Sequence, residues 1–233
     1  MTKQEFINSG LLIMNEANMA DEQGRMFVGA DTAQVDRQIE GSYVDAWRRC
    51  AKVMPREWFE NKSFKSNSPI PSLADGTGYV QLPDDFYLLS RFKMRGWQKA
   101  VYEASVENER VASIQANEYT RGSEIRPVCT IGVEDVSGTI KKVLRYYSLK
   151  KGILSHTIEQ AIYVPITKSM KDMDKSEQLN LADQVIEPIA YIAAATVFTM
   201  HGKDKIASSL EERAIEMYPG LQSVKFGITT VKQ

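Results

Sequence analysis

The longest apolar stretch of the chain lies within residues 183–200, DQVIEPIAYIAAATVFTM, and the rest of the sequence is best understood around it. Apolar residues recur in it at three- and four-residue spacings, which predicts a helix with a continuous apolar face. The run Ala193–Ala195 keeps this helix narrow, so that a neighbour can pack closely against it. Its apolar part, Ile189–Val197, is much shorter than the roughly 20 residues that a membrane-spanning helix needs. We therefore expect a core helix of a soluble protein without a membrane partner.

Three further amphipathic helices are predicted on either side of this stretch. Residues 204–218 follow it directly, and residues 5–19 and 31–54 lie near the start of the sequence, each with apolar residues on one face. Pro55 and Gly202 mark the ends of two of the four helices. The four apolar faces need burial, and the simplest arrangement is one four-helix bundle built from the two N-terminal and the two C-terminal helices.

The section between the two helix pairs has a different pattern. Short segments rich in β-branched and aromatic residues, separated by Gly and Pro, lie at residues 79–82, 88–97, 100–104, 127–131, 141–147 and 161–164. They predict an antiparallel sheet, sandwich or barrel inserted into the bundle. The predicted fold class is therefore α+β. Its parts are a helical bundle of residues 1–60 and 180–220, a β-rich insert of residues 61–179 and an extended C-terminal arm of residues 221–233.

The arm has no helical period. Its apolar residues alternate with Lys225 and Gly227, which is typical of an extended strand. Such a strand must be paired or it becomes an aggregation hazard, so it either folds back on the chain's own β section or adds to a neighbouring chain. The candidate portal- or partner-binding residues of the arm are Leu221, Val224, Phe226 and Ile228.

Composition excludes several functional classes. The chain is 43% hydrophobic and 25% charged, and its 29 basic and 30 acidic residues leave a net charge of −1, which rules out binding to nucleic acid by bulk positive charge. Cys50 and Cys129 form neither a disulfide framework nor a metal-ligand spacing, and His156 and His201 match no metal or nucleophile motif. Met1–Glu5 lacks the pattern of a signal peptide. We expect a cytoplasmic product without catalytic residues, metal or cofactor.

One adjacent acidic pair, Asp84 and Asp85, leaves an enzymatic alternative open. Clustered carboxylates can hold a catalytic metal ion, so a metal-dependent hydrolase using these two residues is one hypothesis. The pair also follows Pro83 and precedes Phe86, a context that favours a turn in which Asp caps unpaired backbone N–H groups. The turn is the favoured interpretation.

Charge is distributed unevenly along the helices. Residues 48–65 are mainly basic and predict either a solvated surface or a contact with phosphate or an acidic partner. A monomeric module that binds nucleic acid or protein through this stretch is therefore a second alternative. The candidate basic contact residues are Arg48, Arg49, Lys52 and Arg56, and the last helix carries a candidate acidic face of Glu211, Glu212 and Glu216.

Five motifs follow one another along most of the chain in the order just described. They are Ala46-Trp47-Arg48-Arg49, Leu82-Pro83-Asp84-Asp85-Phe86-Tyr87, Val143-Leu144-Arg145-Tyr146-Tyr147, Ile162-Tyr163-Val164-Pro165 and Ile186-Glu187-Pro188-Ile189-Ala190. In this order and spacing, the chain resembles the head–tail adaptor (connector) proteins of short-tailed bacteriophages. That group includes the tail-tubular-A-like proteins and the ring proteins of crAss-like phages.

The resemblance implies a structural virion protein rather than an enzyme. Members of this group form rings, most often dodecamers, that sit beneath the portal protein and carry a platform for the next tail or ring protein. The arm would reach the portal, and double-stranded DNA would pass through the ring without sequence-specific contact. As a separate hypothesis, which the resemblance does not supply, Glu211, Glu212 and Glu216 of the last helix would contribute to an acidic lumen that lets the DNA slide. The protein would be assembled in the host cytoplasm and reside at the head–tail interface of the virion.

Overall fold

The computed structural model describes residues 1–19, 30–72, 76–136, 138–150, 152 and 155–224. Over these ranges the fold is α+β, with five α-helices and two β-sheets, which confirms the predicted class. The chain divides into two compact units. Of the described residues, those up to Phe59 and those from Thr167 onward form the helical unit, and those within Glu60–Ile166 form the β unit.

Four helices build the helical unit. They are α1 (Lys3–Met19), α2 (Ala30–Val53), α4 (Asp183–Met200) and α5 (Asp204–Met217), whereas α3 (Glu109–Ala116) belongs to the β unit. α4 contacts each of the other three helices, and most of its residues are buried. A helix enclosed in this way must be apolar on nearly all sides, which explains why its sequence is the longest apolar stretch of the chain.

α1 runs in the same direction as α4. Just before α4 begins, the Leu179 N–H donates to the Met1 carbonyl at 2.9 Å, and just after α4 ends, Lys203 Nζ donates to Asn18 Oδ1 at 2.9 Å. The two helices are therefore parallel and lie close together near both ends.

The segment after the last strand belongs to the helical unit and not, as the sequence predicts, to the β-rich insert. Its charged composition also predicts a mobile loop, but it contains a 3-10 helix, Met170–Asp172, with Met170 fully buried. Lys3 Nζ donates to the Met170 carbonyl at 2.6 Å and lies 3.1 Å from Glu40 Oε1. The buried Met170 and the buried Lys3 thus hold this segment against the helical unit, although its charged composition is typical of a solvent-exposed loop.

Two sheets form the β unit. The three-stranded sheet has the order β1 (Lys62–Ser63), β8 (Ile158–Pro165), β4 (Phe86–Met94). The five-stranded sheet has the order β2 (Ile70–Ser72), β3 (Thr77–Gln81), β7 (Thr139–Tyr146), β6 (Cys129–Val136), β5 (Ser105–Val106). All neighbours are antiparallel except β5 and β6. Residues of both sheets share one hydrophobic core, in which the Phe92 ring contacts Phe64, Trp97 and Tyr146.

Gly78 allows the strands β2 and β3 to approach the buried Tyr146. A Cβ atom at Gly78 would lie 2.6 Å from the Ile70 carbonyl oxygen, which is too close for any other residue type. The sequence pattern places a turn here, and the strand begins at Thr77, earlier than its apolar residues predict.

The strands β1, β2 and β5 lie outside the predicted strand segments, and two further elements of the β unit also differ from the prediction. Residues 100–104 form no strand, since only Val101 makes an isolated bridge, to Phe92. α3 has no counterpart in the prediction, and its N-terminus is capped by Asn108, whose Oδ1 accepts a hydrogen bond from the Val111 N–H at 2.9 Å.

The predicted arm starts as part of the helical unit. Residues Pro219–Val224 form a 3-10 helix, and Leu221 is buried. The side chain of Val224 and the residues Phe226 and Ile228 lie outside the described part of the chain. Among the described residues, no helix has the length and apolar character needed to cross a membrane.

Candidate functional site

The predicted basic and acidic faces of the helices meet in one ion pair. Arg49 of α2 donates from both Nη1 and Nη2 to Glu211 Oε1 of α5, at 3.1 Å each. The two side chains are only 13% and 25% exposed. Leu221 lies beside the pair together with Ile192 and Ala214. Arg49 and Glu211 therefore hold helices together, and their charges are directed at each other rather than outward.

The other candidate basic residues do not form one surface with Arg49. Arg48 is paired with Asp45, three residues earlier, at 3.2 Å on the exposed side of α2. Lys52 is exposed near the end of α2, and Arg56 is half-buried in the following 3-10 helix, Arg56–Trp58. The basic stretch of the sequence is thus divided between an interhelical ion pair, a surface pair, the exposed Lys52 and the half-buried Arg56.

The acidic candidates separate in the same way. Glu212 and Glu216 are exposed one turn apart on α5, with the exposed Arg213 between them in sequence. Neither glutamate forms an ion pair with another residue of the described ranges. Of the three predicted acidic residues, these two can present charge to solvent or to a partner, whereas Glu211 cannot.

Asp84 and Asp85 occupy a tight turn that leads into β4, and their side chains have different surroundings. The Phe86 N–H donates to the Pro83 carbonyl at 3.1 Å, which closes the turn. The Asp84 side chain is 94% exposed, with Lys141 Nζ 3.9 Å away. The turn is the interpretation that this geometry favours.

Asp85 joins the three strands of the smaller sheet. Its carboxylate accepts a hydrogen bond from the Tyr163 hydroxyl of β8 at 2.7 Å and one from Lys62 Nζ of β1 at 2.9 Å. Partial burial alone would raise the pKa of Asp85, but the hydrogen bonds from Tyr163 and Lys62 and the Lys62 charge outweigh it and lower the pKa. The carboxylate is therefore held ionised by protein groups. No cluster of three or more His, Cys, Asp or Glu with metal-binding geometry occurs within the described ranges.

The cysteines and histidines have structural surroundings. Cys50 and Cys129 are buried, and burial raises the pKa of the Cys50 thiol to about 12 and that of Cys129 well above its ordinary value. Neither thiol is activated as a nucleophile, because only the thiolate reacts. His156 Nδ1 shares a hydrogen bond with the buried Tyr146 hydroxyl at 2.6 Å, and His201 Nε2 shares one with Gln38 Oε1 at 2.9 Å.

One arginine and two carboxylates form a polar cluster on the five-stranded sheet. Arg145 of β7 pairs with Glu107 and with Glu134, whose Oε1 lies 2.8 Å from Arg145 Nη2. The Tyr147 hydroxyl shares a hydrogen bond with Thr130 Oγ1 at 3.0 Å. One arginine between two carboxylates is an internal ion-pair network that ties the β5 edge to β7.

A groove that was not predicted from the sequence lies between α1 and α4. It has a volume of about 430 Å³, and its floor contains the buried side chains of Ile13, Ile186 and Tyr191. Leu12 of α1 is 60% exposed beside it. Three exposed carboxylates stand around the groove, those of Glu16, Asp183 and Glu187. None of them forms an ion pair with a residue that the structure describes.

The signal for this groove was present in the sequence. Leu12 and Glu16 are four residues apart, and so are Asp183 and Glu187, which places each pair on one face of its helix. The direction of α1 relative to α4 was not predictable from these spacings, and only that direction brings the two pairs to the same groove.

No protein-family model matches the chain. No curated protein is similar to it in sequence at a significant level. The resemblance to phage adaptor proteins therefore remains a prediction from the order of its motifs.

Proposed function

We propose that the chain is a structural subunit of a head–tail adaptor ring of a short-tailed bacteriophage. The observation that carries the proposal is the order of the elements. A helical unit assembled from both ends of the described chain is interrupted by one β unit with its own core. This is the organisation that the resemblance implies, with α1, α2, α4 and α5 acting together as the four-helix bundle of the ring.

The surroundings of the catalytic candidates agree with a non-enzymatic role. Asp85 is engaged by Lys62 and Tyr163, Asp84 faces solvent, and both thiols are buried. In the proposal, function comes from assembly. Closed rotational symmetry sets the copy number, and the ring continues the DNA channel of the portal and offers a platform to the next tail or ring protein.

Glu212 and Glu216 are the acidic residues that we assign to the channel. Their exposed carboxylates would repel the phosphates of passing double-stranded DNA and so prevent it from adhering. Reversing both charges is expected to leave ring assembly intact and to impair DNA passage.

The alternative of a monomeric binding module depends on Arg48 and Arg49, and both are engaged in ion pairs within the chain. Arg49 is engaged with Glu211 and Arg48 with Asp45, so the basic stretch offers a partner less charge than its sequence suggests. Salt-dependent DNA binding by the isolated chain would favour this alternative over the ring.

The decisive experiment is negative-stain electron microscopy of the full chain mixed with the portal protein encoded in the same genome, with each protein alone as a control. We expect a ring stacked on the portal. A chain that stays monomeric and does not associate with the portal would refute the adaptor proposal.

A further inference from the structure

The groove between α1 and α4 combines exposed apolar surface with carboxylates that form no ion pair with any described residue. We propose that it binds residues 225–233 of a second copy of this chain, in place of the portal contact that the resemblance implies for this part of the arm. The inference rests on the proposed function in one respect only, since a ring supplies the neighbouring copy.

Charge complementarity is the first argument. Residues 225–233 read KFGITTVKQ and contain Lys225 and Lys232 but no acidic residue. The groove presents Glu16, Asp183 and Glu187, and the Met1 amino group at its edge donates to Gln178 Oε1 at 3.3 Å. A segment with two lysines and no acidic side chain is therefore attracted to a site whose three carboxylates outnumber its one ammonium group, which favours its capture over that of an acidic or neutral segment.

The apolar pattern of the segment is the second argument. In an extended chain, alternate residues lie on the same side, so Phe226 and Ile228 face one direction. The groove offers them Leu12, which is largely exposed, above a floor of Ile13 and Ile186. Docking would remove Leu12 and the two segment side chains from water. The burial of apolar surface gives such an interface most of its binding free energy.

The place where the segment leaves the helical unit favours a second copy over the same one. Leu221 is packed beside Arg49 and Glu211, on the α2 and α5 side of α4. Tyr218, at the start of the same turn, donates from its hydroxyl to the Val53 carbonyl of α2 at 3.2 Å. The groove lies on the α1 side, so the nine residues after Val224, which span at most about 30 Å, would have to cross to the opposite side of α4 to reach it.

Docking on a neighbour needs no such path. Each copy would give its segment to the next copy and receive one from the previous copy, which is the head-to-tail contact that closes a ring. The groove is thus assigned as the receiving site and residues 225–233 as the inserted segment.

The test has a binding part that does not depend on ring formation. A fluorescein-labelled peptide of residues 224–233 is titrated with the full chain, and anisotropy is recorded. We expect saturable binding that weakens as salt is raised. The variant Glu16→Lys with Glu187→Lys should weaken it about tenfold or more, because two attractive charges become repulsive.

Two matched variants make this result specific. Glu212→Lys with Glu216→Lys makes the same charge change on α5, outside the groove, and should leave the affinity unchanged. A peptide with Lys225→Glu and Lys232→Glu should fail to bind the unaltered chain and should recover binding to the Glu16→Lys, Glu187→Lys variant. Absence of peptide binding, or equal affinity for all three proteins, would overturn the inference.

The second part identifies the copy. The full chain carrying Leu12→Cys and Phe226→Cys is oxidised, while the native Cys50 and Cys129 remain buried. Disulfide-linked dimers and higher species on a non-reducing gel are expected. A monomer with an internal disulfide would show that the segment occupies its own groove and would overturn the inference. A ring on the portal without groove binding would refute this inference alone, and groove binding without a portal ring would refute the proposed function alone.

Discussion

Asp85 illustrates, at the scale of one residue, how an acidic candidate can have a structural role. Its carboxylate accepts hydrogen bonds from Lys62 of β1 and Tyr163 of β8 immediately before β4 begins. We predict that Asp85→Asn lowers the free energy of unfolding by about 0.5–1 kcal/mol at neutral pH, a figure already discounted for the partial exposure of the pair. Urea denaturation of both proteins measures the difference.

The pH dependence of that difference follows from the lowered pKa of Asp85. A carboxyl group whose pKa is lower in the folded state stabilises the fold fully above its unfolded pKa, about 3.9, and loses this contribution as the pH falls below it. The difference in free energy of unfolding between the wild type and Asp85→Asn should therefore be constant from pH 7 to about 5 and become smaller in more acidic solution.

Asp84→Asn is the matched control for this prediction, because it makes the same change at the adjacent, exposed residue. It should alter stability by less than about 0.5 kcal/mol. Equal effects of the two variants would contradict the assignment of Asp85 as the strand-joining carboxylate.

At the scale of elements, the pairing of α2 with α5 depends on Arg49 and Glu211. We predict that Glu211→Lys destabilises the fold by about 3 kcal/mol or more, because it places two positive charges in a site shielded from water. Glu212→Lys and Glu216→Lys, which make the same change one and five residues further along α5, should each cost less than about 0.5 kcal/mol.

Thermal unfolding followed by circular dichroism distinguishes these three variants. Exchanging the pair as Arg49→Glu with Glu211→Arg should recover part of the stability lost in Glu211→Lys, since opposite charges again face each other. Three variants of equal stability would show that the ion pair contributes nothing to the α2–α5 contact.

Some elements were predictable from sequence and others were not. α4 and α5 were found with nearly correct bounds, because their apolar residues follow the helical period over several turns. α3 was missed because it is short and mostly exposed, so it has no apolar stripe. The cap residue Asn108 was the one local feature that indicated it.

At the scale of the whole molecule, a sequence predicts what each segment buries more readily than where it packs. The change from helical to alternating pattern near residue 60 matches the division between Phe59 and Glu60. The return near residue 167 was placed too late, because tertiary contacts assign that segment to the helical unit, among them the contact of Met170 with Lys3 and that of Leu179 with Met1. The Arg49–Glu211 pair could not be predicted either, because it depends on how α2 packs against α5 and not on the spacing of residues in the sequence.

The two units each have a separate core, and we predict that they unfold as separate thermodynamic units. Ala194 of α4 is fully buried, so Ala194→Leu overpacks the helical unit and should cost about 1–3 kcal/mol. Phe92→Ala empties the centre of the β unit and should cost about 3–5 kcal/mol. In native-state hydrogen exchange of the full chain, each substitution should lower the protection of backbone amides in the altered unit only. The free energies of exchange in the other unit should change by less than about 0.5 kcal/mol.

Ser208→Leu, at an exposed position of α5, is the control for adding the larger side chain and should leave exchange unchanged in both units. A uniform loss of protection across all amides after either core substitution would mean that the chain unfolds in one cooperative step. Separate losses would mean that the β unit can stay folded while the helical unit opens. In that case a ring could remodel its helical contacts during docking without disturbing the sheets, because the two chain crossings, at residues 59–60 and 166–167, would not transmit the change.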